Sequence, residues 1–332
     1  MIFPILRGLL APRFAPVTFL FFALNLIVFL ATFDSFQEMD TRMDEFLGDH
    51  SFIQTQGLAF AVMIERGGPH FSGTLHRLAT KALSADDEAK KILGSLAVRN
   101  VDFMNEAQKF DFGGDEVAIR AWREKFAELL EIQNQHPSYQ WGLSRVKDGW
   151  IQYLTYQFSH SGFLHLFWNM VFLLIFGVFL ESELGPSFVA ITYVGSGFIG
   201  ACSYALLSGV SSSPLVGASA SVSGLMSLVG LAWFKKEKVR FFYWLLPIQG
   251  YFGFVALPSW VILIISFVPD LSGYLGASRE FGSVAYSAHI GGALFGALIA
   301  VLYRTGLMHR EVQPASTGAT SDSENNDHRK AS

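Results

Sequence analysis

Six stretches of this chain are long and apolar enough to cross a lipid bilayer, and that feature excludes most folds. A hydrocarbon core about 30 Å thick takes roughly 20 mostly apolar residues per helix, somewhat fewer where flanking side chains snorkel. The stretches run approximately over 17–33, 162–180, 188–207, 216–234, 252–268 and 282–303. With 51% hydrophobic residues, 32 phenylalanines and only 16% charged residues, the composition is that of a membrane protein. The expected fold is an all-α bundle of six transmembrane helices. The net charge of -4 and the scattered Lys and Arg residues exclude a nucleic-acid partner. Cys202 has no second cysteine to pair with, so neither a disulfide framework nor a Cys-based zinc site is expected.

The first apolar stretch follows Arg7 and Arg13 and has no small-residue cleavage site behind Phe33, so it is expected to be a retained signal anchor. Arg7 and Arg13, then Lys235, Lys236, Lys238 and Arg240, then Arg304 and Arg310 all fall on one side of a six-span topology. The positive-inside rule makes that side cytoplasmic, with both termini on it. The expected setting is a bacterial cytoplasmic membrane. The apolar run 240–250 is broken by Pro247 and Gly250 and is expected to approach the fifth helix along the interface.

Four regions follow from this: residues 1–33, a polar insertion over 34–148, a membrane core over 149–310 and a tail over 311–332. The insertion is far longer than a connection needs, so a small, mainly helical extracytoplasmic domain is expected. Ser84-Ala85-Asp86-Asp87 reads as a capping box for a helix through about Val98. Trp122, Phe126, Leu129 and Leu130 form the stripe of a second helix over about 115–132. His50, His70, His76 and His136 lack metal-ligand spacing and are expected at the surface. The tail is rich in Ser, Thr, Asn and Asp and is expected to be disordered.

Polar residues inside the spans carry the functional signal, because each is costly in a bilayer. The second span opens with His160, His165 and Asn169, the last two one turn apart on one face. The fourth carries Ser219, Ser221 and Ser223, and the sixth carries His289. These three spans run the same way through the membrane. Ser219 and His165 lie about three residues into theirs and His289 about seven, which places them within about 5 to 10 Å of the outer boundary. A hydroxyl, a base and donors for an oxyanion therefore meet at one depth, the parts needed for acyl transfer. Ser221 and Ser223 are expected only to bond their own backbone or to mediate packing. Gly217-Ala218-Ser219 follows Pro214 at a loop-to-helix entry where small neighbours leave the hydroxyl accessible. Gly291, Gly292 and Gly296 leave the helix beside His289 without side-chain bulk, so another helix can approach closely.

Together these residues resemble the rhomboid family of intramembrane serine proteases. Pro16-Val17-Thr18 with Asn25 is similar to the family's first-helix start, and His165 with Asn169 matches its H-x-x-x-N motif. Glu181 and Gly185 match E-x-x-x-G, Gly217-Ala218-Ser219 matches G-x-S, and Ala288-His289-Ile290-Gly291-Gly292 matches A-H-x-G-G. Three positions depart from the pattern: Ala220 stands for the usual glycine, Ser223 for an aromatic residue, and Gln152 for an arginine. The resemblance implies a Ser219–His289 dyad without a third acid, and an oxyanion hole from the Ser219 amide, His165 and Asn169. It places His160 at a position associated with water, and it implies a substrate that is itself a transmembrane helix.

The expected function is serine endopeptidase activity near the outer face of the membrane, with no metal or organic cofactor. Partners are transmembrane-helix proteins and membrane lipid. A catalytically inactive relative that binds or escorts membrane proteins, and a membrane transporter, are the alternatives.

Overall fold

The computed structural model describes residues 2–5, 15–67, 71–146, 149–207, 212–233, 238–244, 252–276 and 286–309. The tail, His70, Pro247, Gly250, Arg7, Arg13 and the first residues of the sixth stretch lie outside the described residues.

Helix α1 (Pro16–Leu47) starts in the first apolar stretch and runs well past it. At about 1.5 Å per residue it is roughly 48 Å long, more than a bilayer core requires. No Pro or Gly interrupts it before Gly48. One buried stripe of Phe21, Asn25, Phe29, Thr32, Phe36 and Met39 follows it from membrane to insertion. The boundary expected at residue 33 is thus the middle of a helix.

The insertion continues as α2 (His50–Arg66), α3 (Gly73–Leu83), α4 (Asp87–Ala97), α5 (Val101–Glu106), α6 (Glu116–Gln135) and α7 (Pro137–Trp141). Its core is aromatic, with Phe60, Phe103 and Phe126 fully buried beside Trp122. Helix α6 matches the expected stripe. The expected capping box does not form: Ser84 ends α3, Ala85 takes a positive φ of 68°, and Asp86 accepts the Glu88 and Ala89 amides at the start of α4. A carboxylate one residue before the helix outcompetes a hydroxyl three residues before it. His136 is buried, not at the surface. Its Nε2 lies 2.9 Å from Asp40, its Nδ1 accepts the Ser138 amide, and its ring meets Phe36 edge-on.

The bundle follows: α8 (Gln152–Thr155) with a 3-10 turn at Tyr156–Phe158, α9 (Phe163–Leu184), α10 (Pro186–Leu207), α11 (Ser219–Ala232), α12 (Val261–Gly276) and α13 (Tyr286–Arg304). Among the described residues, α1, α9, α10 and α13 are long and apolar enough to cross a membrane, while α11 and α12 are shorter apolar helices. A single residue, Gly185 with φ 102°, separates α9 from α10, a left-handed conformation that glycine adopts without penalty. Pro186 then opens α10. Glu181, fully buried, reaches the start of α1 and accepts the Val17 amide at 2.8 Å, the Thr18 amide at 2.7 Å and the Thr18 hydroxyl at 2.7 Å.

Helices α10, α11 and α13 meet on glycine. A Cβ at Gly292 would collide with the Ala220 carbonyl, one at Gly296 with the Gly224 carbonyl, and one at Gly291 with Ser203 on α10. The expectation of close approach beside His289 is met on two faces of α13.

The chain is not helical throughout. An antiparallel sheet of β1 (Ile2–Ile5), β2 (Lys238–Trp244) and β3 (Phe252–Pro258) joins the N-terminus to the segment between α11 and α12. Ile5 pairs with Arg240, and Arg240 with Ala256. The fifth span was expected to start at Phe252. Aromatic and β-branched residues in Phe252–Pro258 favour a strand instead, and Pro258 ends it. The helix then starts at Val261 and runs on through Pro269 to Gly276.

Candidate active site

Ser219 is the first residue of α11, and the loop before it sets its position. Gly217 takes φ +112°, its amide donates to the Tyr156 carbonyl at 2.9 Å, and a Cβ there would fall 2.6 Å from the His165 ring. Glycine is required by both conformation and space. The Ala218 amide donates to His160 Nε2 at 3.4 Å, and Ala218 makes no side-chain cap on the helix. The loop is tied to the insertion as well: the Ser212 amide donates to the Arg99 carbonyl at 2.9 Å, and Leu143 and Leu215 exchange backbone hydrogen bonds.

His289, in the first turn of α13, places Nε2 2.7 Å from Ser219 Oγ. Its Nδ1 lies 2.9 Å from Asp270 Oδ1 on α12. Both side chains are largely enclosed, His289 at 21% and Asp270 at 18% exposure. In that geometry an imidazole whose Nδ1–H donates to the carboxylate presents the Nε2 lone pair to the serine hydroxyl.

These groups border one cleft of about 760 Å³ among α9, α11, α12 and α13. Its walls are apolar, with Trp168, Phe172, Met226 and Ile265, and its polar groups include Ser219, His289, Asp270, His165 and Asn169. Asn169 donates one amide hydrogen to the His165 carbonyl at 2.8 Å, which leaves its second N–H for another acceptor. The His165 ring packs at 67° against that of His160, 5.1 Å between centroids. Since Ser219 opens a helix, its amide is among those without an intrahelical partner.

The structure thus brings Ser219, His289, His165 and Asn169 to one cleft and sets His160 behind them, fully buried. Gly217, Gly291 and Gly292 shape the backbone around them, while Glu181 and Gly185 lie at the far end of α9. Ser219 and His289 sit nearer their helix starts than expected, because α11 begins at Ser219 and the described part of α13 at Tyr286. Ser221 does not bond its own backbone; its hydroxyl donates to Gln157 Oε1 at 2.9 Å. Ser223 lines the cleft. Asp270 is the residue that sequence reasoning missed. The signal was present, an acid in an apolar run, but ending the fifth span at Val268 left it outside.

Residues 147–306 match the family model described as Rhomboid domain. Among known proteins, the chain is 28% identical over 142 residues to "Rhomboid protein 1, mitochondrial" of Saccharomyces cerevisiae, covering 42% of this chain and 38% of that protein. It is 28% identical over 173 residues to "Rhomboid-like protein 11, chloroplastic" of Arabidopsis thaliana, covering 50% of this chain and 58% of that one. The matches thus span less than two thirds of either relative. With residues 147–306 matched to the Rhomboid domain and with its apolar helices, the chain is an integral membrane protein whose core is similar to the rhomboid family.

Proposed function

We propose that this protein is an intramembrane serine endopeptidase that cleaves transmembrane-helix substrates near the outer face of the membrane. The observation that carries the reading is the 2.7 Å approach of His289 Nε2 to Ser219 Oγ on the wall of an apolar cleft. Ser219 Oγ attacks the scissile carbonyl while Nε2 takes its proton. The tetrahedral oxyanion accepts hydrogen bonds from the Ser219 amide, His165 and the second N–H of Asn169. As the intermediate collapses, Nε2 returns the proton to the leaving amine, and water then releases the acyl group by the same steps in reverse. No metal or organic cofactor takes part in this scheme.

Both termini lie on the side rich in Lys and Arg, the cytoplasmic side in a bacterial membrane, and the insertion lies over the opposite face. The insertion supplies no reacting group. Its bonds to the loop before Ser219 suit a part that governs which substrates dock.

The test is labelling by a fluorophosphonate in liposomes, together with cleavage of a model transmembrane substrate. Wild type is expected to label on Ser219 and to cleave. Labelling that persists in Ser219→Ala would overturn the assignment, and a wild type that neither labels nor cleaves would favour a non-catalytic binding role.

A further inference from the structure

Among the long helices α9 to α13, α12 is the least enclosed: Ile262 is its one buried residue, while Ile264, Ile265, Val268, Leu271 and Leu275 are exposed. A carboxylate in such a helix is costly unless it has a partner. Asp270 has one, for its Oδ1 stands 2.9 Å from His289 Nδ1, on the ring edge opposite the nitrogen that faces Ser219. Pro269 directly precedes it inside the helix, at a position that removes an N–H and releases a carbonyl one turn back. A proline followed by an acid within a lipid-facing helix is poor helix design, and both sit where the acid meets the histidine.

We propose that Asp270 is a positioning residue for His289, which turns the Ser219–His289 pair into a three-residue relay. The inference rests on the reading of Ser219 as nucleophile and departs from the two-residue arrangement that the family resemblance implies. Asp270 accepts the Nδ1 hydrogen, which fixes the tautomer whose Nε2 is a base. When Nε2 takes the Ser219 proton, the ring becomes a cation with a hydrogen on each nitrogen. The Asp270 carboxylate stays ionised and stabilises that cation until Nε2–H passes to the leaving amine. No proton leaves Nδ1, and the ring returns to its starting form. Since Asp270 belongs to α12 and His289 to α13, the relay is complete only when α12 sits against the cleft.

The test compares wild type, Ser219→Ala, Asp270→Ala and Asp270→Asn in liposomes, measuring the fluorophosphonate saturation constant and the maximal inactivation rate separately. Wild type labels and Ser219→Ala does not; if either fails, the nucleophile assignment falls and this inference falls with it, a result distinct from those of the Asp270 variants. Asp270→Ala is expected to lose about 10²-fold in maximal rate with an unchanged saturation constant. Formate, small enough to enter the vacated space, restores part of that rate. Asp270→Asn keeps the shape without the charge, stays slow, and is not rescued. The proposal is overturned if wild type labels and Asp270→Asn matches its rate. It is equally overturned if the whole loss in Asp270→Ala lies in the saturation constant, or if formate restores nothing, since a carboxylate that merely latches α12 to α13 gives those results.

Discussion

In the insertion, each of α2 to α7 begins on a side chain that accepts its first amides: Asp49, Ser72, Asp86, Asn100, Asp115 and His136 in turn. In the bundle, Gly162 precedes α9 and Ala218 precedes α11, and neither supplies a side-chain cap. The start of α1 is served from a distance, by Glu181 at the far end of α9. A water-facing helix draws its stabilisation from neighbours in sequence, whereas the bundle uses groups that are near only after folding. The uncapped start of α11 also has a chemical use, because a capped one would occupy amides that the proposed oxyanion needs. Both regions use glycine at helix crossings. A Cβ at Gly57 would strike the Lys90 carbonyl on α4, much as one at Gly292 would strike Ala220.

The contrast predicts that loss of activity tracks the bundle alone. Ser219→Ala and His289→Ala should show the largest effect, cleavage and labelling falling by at least about 10³-fold while the protein still inserts and melts as wild type. Residual cleavage well above that level in Ser219→Ala would remove the serine from the chemistry.

Next come the two glycine crossings. Gly292→Val and Gly57→Val each introduce a collision with backbone, costing about 1–3 kcal/mol or more by overpacking. Gly292→Val should lower the melting midpoint in detergent and cut labelling sharply, because α11 and α13 carry Ser219 and His289. Gly57→Val should loosen the insertion, seen as faster amide exchange in α2 and α4, and leave the labelling rate within about twofold of wild type. Equal loss of labelling in both would mean that the insertion is part of the site.

Smaller again in its effect on labelling, though not on stability, is Glu181→Ala. It removes an acceptor that serves two amides and a hydroxyl, and hydrogen bonds to a buried charge contribute about 1.5–3 kcal/mol each. The melting midpoint should drop clearly, with faster exchange at the start of α1. An unchanged midpoint would show that water serves those amides equally well.

How much of this was legible beforehand follows the same divide. The α6 stripe was readable because amphipathic spacing is local, and Ser219, His165, Asn169 and His289 because polar groups in apolar stretches stand out. Asp270 and the strand Phe252–Pro258 were not, because an apolar run without periodicity does not declare where a strand ends and a helix begins. Burial of His136 was illegible too, since its partner Asp40 lies on the unforeseen extension of α1.

The smallest expected effect lies in the insertion and depends on pH. Asp49 caps α2 by accepting the Ser51 amide at 2.9 Å and the Phe52 amide at 3.2 Å, and it pairs with Lys125 on α6. The Lys125 ammonium, chiefly through its hydrogen bond, and then the Phe52 amide hold its carboxyl below the ordinary value of 3.8. A folded value below the unfolded one means that the stabilisation is fully present above about pH 4 and is lost as pH falls through the lower folded value. The group is solvated, so the effect is slight and further screened by salt. Acidifying from pH 6 to pH 3 should therefore lower the protection of the α2 and α6 amides, measured relative to their intrinsic exchange rate at each pH, slightly more in wild type than in Asp49→Asn, which has no charge to lose. At pH 7 the same variant should label at the wild-type rate. If acid loosened α2 and α6 equally in both proteins, the carboxylate of Asp49 would not be what ties these two helices together, and the capping side chains would matter to the insertion only one helix at a time.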